Sequence, residues 1–313
     1  MRVLTYNPYA NGSPDTKGGP SVFMDKLIQS ATRQGLAEFC YGRADRIDVI
    51  LAVITQPDIG IVRRCKSLKI PTILRLDGIV NEPKKYTKIQ DMYNASNHII
   101  YQSLFAKELV QSYFGNSKPY TIILNGDDYV RFDKATKKLL NLEGFTFLCL
   151  GKWRDWKRLD IAVKSVASLI DDGHNVNLII GGDTDITVAE KYASRIHKIG
   201  HIKQSMIPRF FNSGSAFVHP ARCDVCPNVV VEATMAKKPS ILHHTGGSHE
   251  ISGKAGVICQ SYDLHEWKSK MLYTIEHAGE LSAAAALRRQ ELHIDVIAKH
   301  YIDTLIAVKK TMK

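Results

Sequence analysis

The sequence predicts an α/β protein built on parallel sheets, and three observations lead there. Short apolar runs alternate with helix-length amphipathic segments along the whole chain, the pattern of repeated strand–helix–strand units. The length of 313 residues exceeds one ordinary domain and suits two of about 150 residues each. Hydrophobic residues make up 44% and charged residues 23%, enough apolar material for two cores.

Strands are expected at residues 2–6, 47–54, 72–76, 98–101 and 120–124 of the first half, with helices such as 21–34, 58–68 and 104–114 between them. The second half reads as strands at 146–150, 177–180, 216–219, 240–243 and 256–259. Helices at 159–170, 188–197, 229–236 and 264–276 separate those strands. A charged stretch without strand character, residues 131–144, joins the halves, so the domains are expected at 1–138 and 139–313. Residues 279–313 read as one continuous helix with a frayed basic end, packing back on the first domain. Contact with an anionic membrane surface is the alternative use of that helix.

No apolar run approaches the roughly 20 residues needed to span a bilayer, and the first residues read as a buried strand rather than a leader. The expected compartment is the cytoplasm, or the cytosolic face of a membrane as a peripheral protein. The net charge of +11 is spread evenly, +6 over residues 1–143 and +5 over the rest, with no basic arm. That distribution argues against a nucleic-acid partner and for anionic small molecules or an anionic membrane surface. Of six cysteines, Cys223 and Cys226 have zinc or redox spacing, but no second ligand pair accompanies them, so no metal and no cofactor are expected.

Open parallel sheets bind ligands beyond the carboxyl ends of their strands, so each strand-to-helix turn is a place to look for chemistry. No G-x-G-x-x-G and no G-x-x-x-x-G-K-[ST] is present, which removes the dinucleotide and Walker-type readings. The first loop instead carries Gly18-Gly19 ahead of a helix, where backbone can approach a phosphate closely. The second half opens on Gly151-Lys152, with Arg154, Lys157 and Arg158 following, a cation cluster suited to a departing diphosphate. After the strand at 216–219 comes a loop with His219 and Asp224, then Pro227-Asn228-Val229 at a helix start and Glu232 in its second turn. Free amides at such a start suit phosphate oxygens, Glu232 can accept from ribose hydroxyls, and Asp224 can hold hydroxyls of a transferred sugar.

These elements together resemble family 4 of the glycosyltransferases, the retaining group 1 enzymes of GT-B fold. The family's E-x-F-P-N-x-x-x-E-A-M-A element is similar to Asp224-Val225-Cys226-Pro227-Asn228-Val229-Val230-Val231-Glu232-Ala233-Thr234-Met235-Ala236. Its G-x-P-[VI]-I strand falls on Lys238-Pro239-Ser240-Ile241 and its G-G-x-x-E-[IL] loop on Gly246-Gly247-Ser248-His249-Glu250-Ile251. The G-[RK]-x4-K element falls on Gly151, Lys152 and Lys157, and N-G-[VI]-D-x5-F resembles the run from Asn125 to Phe132. This chain departs from the pattern at Asp224, where Glu is usual, at Lys152, where Arg is usual, and at Asp77, where a His often stands. The first domain is also short.

The resemblance implies two Rossmann-like domains facing each other across a cleft. It implies transfer of a sugar from a UDP- or GDP-linked donor to a carbohydrate or lipid-linked acceptor hydroxyl, with retention and without a metal. Lys157, Lys152, Asp224 and Asp77 are then the expected catalytic set. Gly18, Gly19, Ile202, His219, Pro227, Asn228, Val229 and Glu232 are expected to bind the donor, together with Lys152, Lys157 and Asp224. Asp77 orients donor or acceptor in this reading and is not a covalent nucleophile. A nucleotide-sugar 2-epimerase of the same fold and a non-catalytic nucleotide-sugar-binding protein are the rival readings.

Overall fold

The computed structural model describes residues 1–5, 19–41, 46–53, 59–76, 83–115 and 117–312. It divides into two compact units, Met1–Gly126 with Leu292–Lys313, and Asp127–Glu291.

The first unit runs β1 (Arg2–Thr5), α1 (Gly19–Arg33), β2 (Glu38–Cys40), β3 (Val49–Val53), α2 (Ile59–Ser67), β4 (Thr72–Leu76), α3 (Pro83–Ala95), β5 (His98–Tyr101), α4 (Leu104–Phe114) and β6 (Tyr120–Ile122). Its six strands are parallel, in the order β2-β1-β3-β4-β5-β6. Every residue of β3 and β4 is buried, as strands covered by helices on both faces must be. The sequence pattern missed β2, a three-residue edge strand with Glu38 exposed and no buried residue to signal it. The helix at 104–114 starts where expected because the Ser103 hydroxyl accepts from the Ala106 amide at 2.9 Å, an N-cap.

The second unit opens with α5 (Val130–Asp133), β7 (Phe145–Leu150), α6 (Leu159–Asp171), β8 (Val176–Gly181), β9 (Ile196–Gly200) and α7 (Ile207–Asn212). It continues through β10 (Ala216–His219), α8 (Asn228–Met235), β11 (Ser240–His243), α9 (Ser248–Ser252), β12 (Gly256–Cys259), α10 (Leu264–Glu276) and α11 (Ala278–Glu291). Its strands are also parallel, ordered β12-β11-β10-β7-β8-β9. The chain therefore winds outward from β7 in one direction, then returns to its other side at β10. The gap between the ends of β7 and β10 is the topological switch point, where such sheets bind ligands.

One expected helix of this unit is absent. Residues 188–197 form a single 3-10 turn at Glu190–Tyr192 and then enter β9, which pairs with β8 from Leu178↔Ile196 to Gly181↔Gly200. Edge pairing with a strong central strand overrides a weak helical pattern. The charged stretch after α5 is not a free linker. The Asn212 side chain donates to the Ala135 carbonyl, and the Leu139 amide donates to Ser213 Oγ at 2.7 Å.

The C-terminal segment is two helices rather than one. After α11, Leu292 is buried and His293 caps a new helix, α12 (Ile294–Thr311), its Nδ1 accepting from the Asp295 amide at 3.3 Å. Ile294, Ile297, Ala298, Tyr301, Ile302, Leu305 and Val308 form one buried stripe at helical spacing, packed with α1 residues Phe23, Met24 and Leu27 in the core of the first unit. The basic end is held as well as helical. Lys309 Nζ donates to Asp48 Oδ1 at 2.7 Å, and this bond, with that from the Arg2 amide to Asp48 Oδ2, lowers the Asp48 carboxyl to about 2. No helix among the described residues is long and apolar enough to cross a membrane.

Candidate active site

Two loops meet at the switch point of the second unit. The loop after β7 begins at Gly151 and leads through a 3-10 turn, Asp155–Lys157, into α6. The loop after β10 begins beyond His219 and ends at Pro227, the extended N-cap of α8, with Asn228 as first helical residue. The Arg222 amide donates to the Trp156 carbonyl at 2.9 Å, fixing the loops to each other.

At their junction Lys157 Nζ donates to Asp224 Oδ2 at 3.3 Å, both side chains largely buried. Gly151 faces the lysine stem: a Cβ there would lie 3.6 Å from Lys157 Cδ. The Lys157 ammonium also sits 4.9 Å from the Trp156 ring centre. Asp224 has a second partner, His219 Nε2 at 3.5 Å. Burial alone would raise the Asp224 carboxyl, but His219 and the Lys157 ammonium outweigh it and hold the group at about 2. Burial lowers the His219 pKa, so this imidazole is neutral at pH 7.

The Asp224 backbone is clamped too. Asp224 bridges Gly246, and the Gly247 amide donates to the Asp224 carbonyl at 2.8 Å. Gly246 has φ +111°, and a Cβ on it would fall 2.7 Å from the Asp224 carbonyl oxygen. Only glycine fits there.

Glu232 lies in the second turn of α8 and is buried. Gln204 Nε2 donates to its Oε1 at 3.1 Å, and Arg131 Nη2 lies 3.4 Å from the same oxygen. Arg131 Nη2 also donates to Asp127 Oδ2 at 2.6 Å. Burial opposes the guanidinium charge, and Asp127 and Glu232 more than restore it. This explains much of the Asn125-to-Phe132 run. Asn125 accepts from Arg75 at 2.9 Å, Asp127 anchors Arg131, Asp128 accepts from the Val130 amide at 2.8 Å, and Phe132 packs edge-on to Phe211. Gly126 must lack a side chain, because a Cβ would meet the Leu292 carbonyl at 2.4 Å.

The structure thus brings together Lys157, Asp224 and His219, and separately ties Glu232 to Arg131 and Gln204. Lys152 is exposed beside Gly151, and Gly19 opens α1 in the first unit. Pro227, Asn228 and Val229 form the start of α8, with Pro227 outside the first turn rather than in it. Ile202 packs against Gly181 and lines a cavity of about 300 Å³ with Leu139, Leu140, Ile199, His201 and Met206. Gly18 and Asp77 lie outside the described residues. Trp153 is an anchor, its Nε1 donating to the Gly181 carbonyl at 3.0 Å. Cys223 is exposed with φ +64°, while Cys226 is buried. The sequence reading assigned no role to Arg131, Gln204 or Gly246. Arg131 and Gly246 stood within recognised runs, whereas Gln204 carried no local signal.

Residues 144–277 match the family model described as Glycosyl transferases group 1. A curated relative, Protein CapJ of Staphylococcus aureus, is 25% identical over 187 residues, covering 56% of this chain. The match spans 46% of that relative, about half its length. Among solved structures, a glycosyltransferase from Rickettsia africae is similar with a TM-score of 0.78 at 12% identity, covering 99% of this chain and 98% of that one. Sucrose-phosphate synthase from Thermosynechococcus elongatus gives 0.77 at 11% identity, covering 99% and 100%. Anabaena Alr3699/HepE in complex with UDP-glucose gives 0.70 at 16% identity, covering 98% and 100%. The fold is that of the GT-B glycosyltransferases.

Proposed function

We propose that this chain, whose residues 144–277 match the Glycosyl transferases group 1 model, is a retaining family 4 enzyme that moves a sugar from a nucleoside diphosphate to an acceptor hydroxyl. The observation carrying this reading is the Lys157–Asp224 pair, a cation and a carboxylate from two loops joined at 3.3 Å beside the start of α8. Without donor the two neutralise each other. With donor bound, the diphosphate takes the Lys157 ammonium, and Asp224 turns to hydroxyls of the sugar. The positive end of α8 adds to the field on the diphosphate.

As the glycosidic bond breaks, positive charge grows on the sugar ring and negative charge on the leaving diphosphate. Lys157 and Lys152 meet that negative charge, each contributing roughly 2–4 kcal/mol by analogy with oxyanion donors. These side chains supply the charge a divalent metal would otherwise supply, so the reaction is metal-independent. Glu232 accepts from the ribose hydroxyls, held for that by Arg131 and Gln204. The acceptor is a glycan or a lipid-linked sugar.

UDP-sugars head the donors to test, since Alr3699/HepE, of similar fold, is described with UDP-glucose. A panel of UDP-, GDP- and ADP-sugars is to be scored by ligand-induced thermal shift, with EDTA present throughout. At least one donor is expected to raise the melting temperature, because a ligand bound to the native state stabilises it by mass action. No shift with any of them would overturn the reading. Anomeric configuration of the product, read by NMR, tests retention.

A further inference from the structure

The second unit contains a cavity of about 430 Å³, walled by α5, the segment that follows it, and α7. Arg131, Lys134, Lys137 and Arg209 line it, with the hydroxyl-bearing residues Thr136 and Ser205, and no carboxylate among the described residues does. Neither Lys157 nor Asp224 contributes to its walls. Among the described residues, Arg131 alone of the four cations has carboxylate partners, Asp127 and Glu232. Lys134, Lys137 and Arg209 have none.

Two further facts make this more than a basic surface. The Nε atoms of Arg131 and Arg209 are buried without a hydrogen-bond partner, a costly state that native interiors largely avoid. The lysine-bearing segment is fixed rather than loose, through the Asn212 side chain on the Ala135 carbonyl and Ser213 Oγ on the Leu139 and Leu140 amides. Lys134, Lys137 and Arg209, without carboxylate partners among the described residues, repel one another around this space, and a polyanion between them removes that repulsion. The volume falls within the roughly 300–1,000 Å³ typical of small-molecule sites.

We propose that this cavity is a second anion site that binds a phosphate-bearing ligand, either a soluble sugar phosphate or the phosphate head of a lipid-linked sugar. It goes beyond the donor reading, with which it shares only Arg131. The Arg209 guanidinium takes the phosphate through its Nη groups, Lys134 and Lys137 add point charges at the rim, and Arg131, whose Nη groups are held by Asp127, Glu232 and the Gln204 carbonyl, adds its field.

The test is calorimetric titration of inorganic pyrophosphate into the full chain carrying Lys157→Ala, which removes the buried one of the two donor-diphosphate cations. Binding is expected to survive that change. It is expected to weaken about tenfold or more when exposed Lys134 and Lys137 are also replaced by Ala, a loss of charge-assisted bonds. Replacement of exposed Lys254 by Ala is expected to leave it unchanged. Circular dichroism checks that each variant is folded. Binding abolished by Lys157→Ala alone, or weakened equally by Lys254→Ala, would overturn the proposal, as would no binding in any folded form. Flotation with phosphatidic acid in phosphatidylcholine vesicles then separates the sources. Retention lost on replacing Lys134 and Lys137 assigns a lipid phosphate, and pyrophosphate binding without retention assigns a soluble one.

Discussion

Lys157 Nζ and Asp224 Oδ2 stand 3.3 Å apart, brought together from positions 67 residues apart because β7 and β10 are neighbours in the sheet. The carboxyl of Asp224 is at about 2 rather than its ordinary 3.8, with burial opposed and outweighed by His219 and Lys157. A carboxyl with a depressed folded pKa adds stability that is complete above its unfolded pKa and fades as pH falls through the folded value. The Asp224 contribution should therefore be present above about pH 4 and disappear toward pH 2, with a size of about 2 kcal/mol. Urea unfolding between pH 7 and pH 2.5 should show Asp224→Asn losing less stability on acidification than the parent. Parallel curves for the two proteins would contradict this.

The same pair predicts an asymmetry in ligand binding. Asp224→Ala frees Lys157 from its partner, so a nucleoside diphosphate without sugar should bind no more weakly than to the parent, while sugar transfer falls about 10²-fold or more. Lys157→Ala should weaken both the diphosphate and transfer. The double variant should fall short of the summed effects, because the residues touch. Equal loss of diphosphate affinity in both single variants would show that the carboxylate does not compete with the phosphates for Lys157.

Gly246 is a sharper test of how Asp224 is held. Gly246→Ala places a methyl 2.7 Å from the Asp224 carbonyl at φ +111°, so the loop must move or strain. We expect a stability loss of about 1–3 kcal/mol and weaker donor binding. Gly279, in α11 with nothing within 4 Å of a built Cβ, is the reference. Gly279→Ala should be neutral or stabilising by up to about 1 kcal/mol. Chemical unfolding and donor titration on both variants decide it.

These contrasts separate what the sequence could convey from what it could not. The loops at Gly151 and Asp224 were legible because short apolar strands precede them and helix starts follow, and both signals are local. That Lys157 and Asp224 would meet followed from the fold class, since a doubly wound sheet sets its first and fourth strands side by side. The partners of Glu232 were not legible. Gln204 and Arg131 reach it from segments 28 and 101 residues away, and no periodicity records such pairings. β9 failed for a related reason: Ile196 is its one buried residue, and pairing with β8 makes it a strand. The break between α11 and α12 turns on one imidazole at His293, too small a signal against the helix formers around it.

The last helix shows how far burial outweighs composition. Leu305 lies in the stripe that α12 lays on α1 and is fully buried, whereas Leu287 on α11 is 70% exposed. Truncating a buried leucine removes transfer free energy and leaves a cavity, so Leu305→Ala should cost about 2–5 kcal/mol. Leu287→Ala should stay within about 0.5 kcal/mol, as surface changes do. Denaturant melts at pH 7 check both. Because the apolar stripe is already spent on α1, Leu305→Ala should also leave the affinity for anionic vesicles unchanged in the folded protein. A drop in vesicle binding at unchanged stability would mean that this face meets lipid rather than α1.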